Sequence, residues 1–268
     1  MARPIVTVAI RAARAAGSVI LRYMNRLDSL AVIEKHHLDF VSEVDRQAER
    51  EIVRELKRAY PDHAILGEET GASGKVGARF TWAVDPLDGT HNYLRGIPHF
   101  GVSIAQLDRG EPVHAVILDP VRNEIFTASK GDGAFLNDRR IRVAKRELLD
   151  GAMLATGFPY RERRHLDAQL GMTRELLKRA EDIRRTGSAA LDLAWTAAGR
   201  FDGYFETGLK IWDMAAGCLL VREAGGRYCN MTGVDGLPES GNLVAANHVL
   251  AEQVVAAIAP SLTSELKR

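Results

Sequence analysis

Phe80-Thr81-Trp82-Ala83-Val84-Asp85-Pro86-Leu87-Asp88-Gly89-Thr90 runs an apolar segment straight into two carboxylates, a proline, a glycine and a hydroxyl. Phe80 to Val84 reads as a buried strand. Pro86 forbids a regular continuation and Gly89 permits an unusual backbone, so the strand must break where Asp85 and Asp88 can converge near its carboxyl end. Two like charges held that close would force one to take up a proton unless a divalent cation kept both ionised. The stretch therefore predicts an α/β protein with a metal-binding crevice at a strand end.

Working outward, the 268 residues suffice for one large domain or two small ones, and 46% hydrophobic content supplies an ordinary core. A formal net charge of +1 excludes a global field that would draw the chain to nucleic acid or an anionic membrane. Cys218 and Cys229 have no CxxC spacing and no histidine nearby, which fits reduced, structural thiols in a cytosol. The amino-terminal segment has no acid before Asp28, but Arg11 and Arg14 interrupt any signal core. Ile5, Val8, Ala9, Ala12, Ala16, Val19, Ile20, Tyr23 and Met24 recur at helical spacing, so this segment is expected to be an amphipathic helix of a cytoplasmic protein.

Ser42-Glu43-Val44-Asp45 looks like a second helix start, with Ala48, Ile52, Leu56 and Ala59 along one face up to Pro61. A short strand, Ala64-Ile65-Leu66, leads into Gly67-Glu68-Glu69, and residues 70–79, with Gly71, Gly74 and Gly77, read as a flexible loop. Residues 102–107, 113–118, 125–128, 134–136 and 141–143 form an antiparallel meander. Beyond about residue 145 short strands alternate with helices near 167–180, 189–198, 213–223 and 248–259. Two packed sub-domains, 1–145 and 146–268, are expected, with the site at their junction.

Taken alone, Asp45 and Asp213 are ordinary helix-start acids and Glu68 an ordinary loop acid. Together with Asp85 and Asp88, each lies at a junction between elements, where side chains from separate segments meet in one crevice. Rival phosphate motifs fail on spacing. A P-loop needs glycine where Glu69 stands and Ser or Thr where Val76 stands. The haloacid-dehalogenase run needs a nucleophilic Asp at Pro86, and Gly187-Ser188 continues into Ala189-Ala190 instead of a nucleophile elbow.

Three segments, Gly67-Glu68-Glu69, Trp82-Ala83-Val84-Asp85-Pro86-Leu87-Asp88-Gly89-Thr90 and Ile211-Trp212-Asp213-Met214-Ala215-Ala216-Gly217, resemble the inositol monophosphatase family. Ala155-Thr156-Gly157-Phe158-Pro159, the stretch from Arg184 to Ala190, and Leu266-Lys267-Arg268 resemble its bacterial branch, which also includes a transcription antitermination (Nus) factor. The resemblance implies a layered αβαβα sandwich and a lithium-sensitive, magnesium-dependent phosphatase, commonly dimeric, acting on inositol 1-phosphate and similar monoesters. Metal-activated water would attack without a covalent intermediate. By motif position Glu68, Asp85 and the Leu87 carbonyl would hold one magnesium, and Asp85, Asp88 and Asp213 a second, a set of hard oxygens suited to that ion. Glu68 and Thr90 would orient the water, with Asp45 behind Thr90. Leu87, Asp88, Gly89, Thr90 and Asp213 would face the phosphate, and Glu206, Ser188, Ala189 and one of Arg184 or Arg185, Arg184 being taken, the polyol.

Two positions depart from the family pattern. His91 replaces a second threonine and Glu34 a lysine common in animal members, so phosphate-side hydrogen bonding and a third, looser metal site are where changes are expected. The branch likeness also implies RNA polymerase or Nus proteins as partners. Candidate surfaces for them are Arg139, Arg140, Arg142, Lys145 and Arg146, or Arg161, Arg163 and Arg164.

Overall fold

A helical stripe opens the chain: in α1 (Pro4–Tyr23), Val6, Ala9, Ala12, Ala13, Ala16, Val19 and Ile20 are buried on one side. The computed structural model describes residues 3–24, 32–36, 39–159 and 163–267, with the backbone alone over 32–36 and 39–42. Asp28, Arg161, Arg268 and the side chain of Glu34 lie outside them. By length and composition α1 alone among the described helices could cross a membrane, yet its apolar stripe packs on α2 (Glu43–Ala59) and on the sheet below.

That sheet has eight strands: β3 (Ala64–Gly67), β4 (Gly71–Ser73), β5 (Phe80–Asp88), β6 (Gly101–Asp108), β7 (Glu111–Asp119), β8 (Glu124–Ser129), β9 (Gly133–Leu136) and β10 (Arg139–Arg140). Their order is β10-β9-β8-β7-β6-β5-β3-β4, antiparallel except for β3 against β5. A separate hairpin, β1 (Val32–His36) with β2 (Asp39–Ser42), precedes α2. The second sheet has five strands, β11 (Met153–Thr156), β12 (Asp182–Arg184), β13 (Gly203–Glu206), β14 (Arg227–Asn230) and β15 (Leu243–Ala246), in the order β12-β11-β13-β15-β14.

Helices α1 and α2 cover the outer face of the large sheet, while α5 (Ala189–Ala197) and α6 (Ile211–Glu223) fill the space between the sheets. Outside the small sheet lie α4 (Leu166–Leu177) and α7 (His248–Ile258). Three apolar clusters correspond to these interfaces, the central one built from Ala190, Leu193, Leu219, Leu220 and the inner faces of both sheets. The result is the αβαβα layering. Cys218 and Cys229 are free and buried, and burial pushes the Cys229 thiol up to about 11.

Two local expectations need correction. Residues 71–73 are not loop but strand β4, whose pairing of Ile65 with Ser73 and Gly67 with Gly71 turns Glu68-Glu69-Thr70 into a hairpin tip. The meander ends at Arg139–Arg140, not at 141–143, because Val143 leaves the sheet and donates to Ala224 O at the end of α6.

His99, beside the short helix α3 (Thr90–Leu94), is buried, packs edge-on against Trp195 at 5.1 Å and lies near Arg122. Burial first and Arg122 second lower its pKa to about 4. The folded state thus resists a proton that the unfolded chain accepts near 6.5, so stability is full above that pH and is lost as pH falls toward 4. The loss by pH 4.5 is expected to be about 2 kcal/mol. Urea titrations of wild type and His99→Gln across pH 4 to 7 check this, and an equal slope in both would refute it.

Candidate active site

Strand pairing sets the site. Alternating side chains of a strand face opposite ways, so Asp85 and Asp88, three apart, would point to different faces of a regular β5. The register against β6 shifts between them, from Asp85 opposite Ser103 to Asp88 opposite Gly101, leaving one extra residue on β5. This bulge falls at Pro86-Leu87 and brings both carboxylates to one crevice. Gly89 then turns the chain at φ 96°, a left-handed conformation that glycine adopts freely, and starts α3 at Thr90.

Neighbouring segments supply the other acids. The parallel register of Gly67 with Val84, and the Glu68 amide donating to Val84 O at 3.0 Å, set Glu68 beside Asp85. Buried Ser103 donates to the Trp212 carbonyl at 2.9 Å, which draws the start of α6, and Asp213 with it, to the same strand end. Asp213 is fixed at the third residue of α6 by reaching back to accept from the Lys210 amide at 2.7 Å. Asp88 accepts from the Ser188 hydroxyl at 2.6 Å and the Ala190 amide at 2.7 Å, so the first turn of α5 holds it.

Asp85 is at the centre. Its Oδ1 accepts from the Leu87 amide at 2.9 Å, and the residue is only 2% exposed. Burial, then the charges of Glu68, Asp88 and Asp213, then a hydrogen bond with Glu68, push its pKa well above the usual carboxylate range. Among the described residues no three acids, imidazoles or thiols already stand as a finished metal cage. Crowded hard oxygens that otherwise keep a proton among them nevertheless match what a small divalent cation requires, so the donor set fits one.

Thr90 Oγ lies 3.0 Å from both Asp45 Oδ1 and the Leu87 carbonyl. With one proton and two acceptors, the hydroxyl is oriented whichever it chooses. Asp45 itself is buried at the start of α2.

These groups open into a cavity of about 630 Å³ whose lining includes Glu68, Asp85, Asp88, Asp213, Ser188 and Glu206. Leu87, Gly89, Thr90, His91 and Ala189 line it as well. Glu206 is gripped by the Tyr204 hydroxyl, and a Cβ at Gly157 would stand 1.9 Å from Glu206 Oε1, so that wall requires glycine. Arg184 is not among the lining residues: it ends β12, exposed and paired with Asp182, whereas Arg185 lines the cavity. The choice between the two arginines therefore passes to Arg185.

The residue reading missed Asp192, whose buried carboxyl lines the cavity and accepts from the Thr186 hydroxyl. Its signal was an acid inside the apolar run Ala189-Ala190-Leu191-Asp192-Leu193-Ala194. Burial first, and the charges of Glu206 and Asp88 as well, raise its pKa well above normal. Of the basic clusters, Arg139 and Arg140 are exposed on an edge strand, Arg146 approaches Asp202 at 3.5 Å, and Arg164 pairs with Glu265 at the cavity wall.

Likeness to known proteins extends over nearly the whole chain. A family model described as the inositol monophosphatase family matches residues 1–263. The Nus factor SuhB of Xylella fastidiosa is 56% identical, covering 95% of this chain and 96% of that protein. Among solved structures, the extragenic suppressor protein suhB of Bartonella henselae superposes with a TM-score of 0.92 at 41% identity, over 96% of this chain and 98% of that one. The inositol monophosphatase of Anabaena gives 0.86 at 35% identity, over 95% of each chain.

Proposed function

This chain belongs to the inositol monophosphatase family, a family of generally metal-dependent phosphatases, and we propose that it hydrolyses inositol 1-phosphate and related monoesters in a magnesium-dependent reaction. The observation that carries this reading is Asp85, buried and crowded by Glu68, Asp88 and Asp213 from three other positions in the chain. Magnesium held by Glu68, Asp85, the Leu87 carbonyl, Asp88 and Asp213 would supply the positive charge that acidifies water and offsets charge on phosphate and leaving group.

The chain's own residues do the rest. Glu68 takes the proton of the attacking water, which passes through solvent to the departing sugar oxygen, and the Thr90 hydroxyl, held by Asp45, fixes that water's direction. Amides of Gly89 and Thr90, where α3 begins, donate to phosphate oxygens. Ser188, Ala189, Arg185 and Glu206 line the polyol side. Both cysteines are buried, so neither offers a thiol nucleophile, and the reading takes water as the acceptor of the phosphoryl group. The reading includes two sub-domains, 1–145 and 146–268, meeting at the site, a cytoplasmic homodimer and lithium sensitivity.

Glu206→Ala is expected to raise KM for inositol 1-phosphate about 10-fold with kcat within a factor of about 3, because a ground-state hydrogen bond is lost. Steady-state kinetics on inositol 1-phosphate and glycerol 2-phosphate check this; unchanged KM for both removes Glu206 from recognition. The function itself is tested by phosphate release from inositol 1-phosphate, glycerol 2-phosphate, a nucleoside 3′-phosphate and histidinol phosphate, with and without magnesium. Preference for another ester would move the substrate, and no magnesium-dependent release from any would end the reading.

The name of the Xylella relative favours a second role, association with transcription antitermination complexes, compatible with the first. Arg139, Arg140 and Arg142 offer an exposed basic surface on the far edge of the large sheet. Pull-down of RNA polymerase and Nus proteins, repeated with these charges reversed, tests it; absence of association in both forms counts against it.

A further inference from the structure

We infer that Glu49 is a positioning residue which, with Asp45 one turn before it on α2, sets the spacing between Glu68 and Thr90. The inference rests on the phosphatase reading above and adds to it a residue outside the cavity lining.

Glu49 is fully buried, yet it makes no ion pair among the described residues. Its Oε2 accepts from the Glu69 amide at 2.8 Å, and its Oε1 accepts from the Thr70 amide at 3.0 Å and from the Thr70 hydroxyl. Three donors converge on one acceptor-only group, and all three belong to the hairpin tip that carries Glu68. A hairpin tip is the part of a sheet most free to move; here it is tied to a long helix.

That helix is the one that also holds Thr90. Residues four apart share a face of a helix, so Asp45 and Glu49 point the same way, about 6 Å apart along its axis. Asp45 takes the Thr90 hydroxyl and Glu49 takes the Glu68 tip. The two groups that aim the attacking water, 22 residues apart in sequence, are thereby referred to one rigid body.

Gly67 is the matching concession in the sequence. Its φ is not left-handed, so glycine is not required by the backbone, but a Cβ there would stand 2.6 Å from the carboxyl carbon and both oxygens of Glu49. The glycine leaves room for the carboxylate to reach the tip. If packing alone were at stake, burying a carboxyl group would be a costly way to fill the space, and an apolar side chain would serve.

The test uses Glu49→Gln and, independently, Gly67→Ala, which displaces the carboxylate without removing it. Gln brings an NH2 against an amide donor, and a shift of the tip by about 1 Å is enough to cost about 100-fold in rate. Expected for both variants are kcat lower by about 10- to 100-fold, KM for inositol 1-phosphate within about 3-fold, and several-fold weaker magnesium binding by calorimetry. Leu56→Ala, a buried truncation on the same helix, supplies the comparison: it should lose thermal stability while keeping the wild-type magnesium midpoint. Should Glu49→Gln fail to fold, Gly67→Ala decides alone. Wild-type kcat and magnesium affinity in the variants overturn the inference and leave the phosphatase reading standing; a wild type without magnesium-dependent release overturns that reading instead.

Discussion

Asp85→Asn is expected to reduce magnesium-dependent phosphate release at least about 1000-fold while raising the melting temperature of the metal-free protein by about 2–4 °C. The two effects have opposite signs for one reason. In the absence of a cation the Asp85 carboxyl is buried against three other acids, which is why its pKa is raised so far. Asparagine removes that repulsion and keeps an oxygen for the Leu87 amide, which now binds Asp85 Oδ1 at 2.9 Å. Once a cation is added the same substitution removes the carboxylate nearest the centre of the donor set, so the metal-induced rise in melting temperature should shrink with the activity. Thermal melts with and without magnesium, beside initial rates, measure both. A variant less stable than wild type without metal, or active within about 10-fold, would contradict the account.

Thr90→Val carries the second large effect. Valine keeps the branched shape and loses only the hydroxyl that lies 3.0 Å from Asp45 and from the Leu87 carbonyl. With nothing to aim the water, kcat should fall about 100- to 1000-fold while KM changes little. Buried Asp45 loses one hydrogen-bond partner, so stability should fall by about 1 kcal/mol. Asp45→Asn acts through the same hydroxyl, and the double variant should be no slower than Thr90→Val alone. Thr90→Ser, which retains the hydroxyl, should recover most of the rate; recovery by valine instead would exclude the proposed role.

Much of this arrangement was legible in the chain. Helical stripes such as Ala48, Ile52 and Leu56 in α2 reproduce in the fold because burial on one face is what the period encodes. The acids stood out because proline, glycine or a helix start flanks each of them, and their meeting depends on sheet registers that apolar strands enforce. What escaped depends on contacts distant in sequence. Strand β4, Gly-Ala-Ser, has no apolar signature and exists only because β3 offers it an edge. The β1 and β2 hairpin mixes charges into four- and five-residue strands, too short for a clear period. Arg184 and Arg185 are adjacent, and nothing short of the end of β12 decides which one turns to the cavity. Glu49 is one of several acids on a highly charged helix, and only the proximity of residues 67–70 separates it from a solvated one.

The central claim is that carboxylates from separate segments hold a divalent cation at the end of β5. Isothermal titration of magnesium into chelator-stripped wild type and Asp85→Asn tests it most directly. Saturable binding to the wild type, weakened at least about 10-fold in the variant with the fold unchanged by circular dichroism, is the predicted result. Equal binding to both proteins, or none to the wild type, would contradict it.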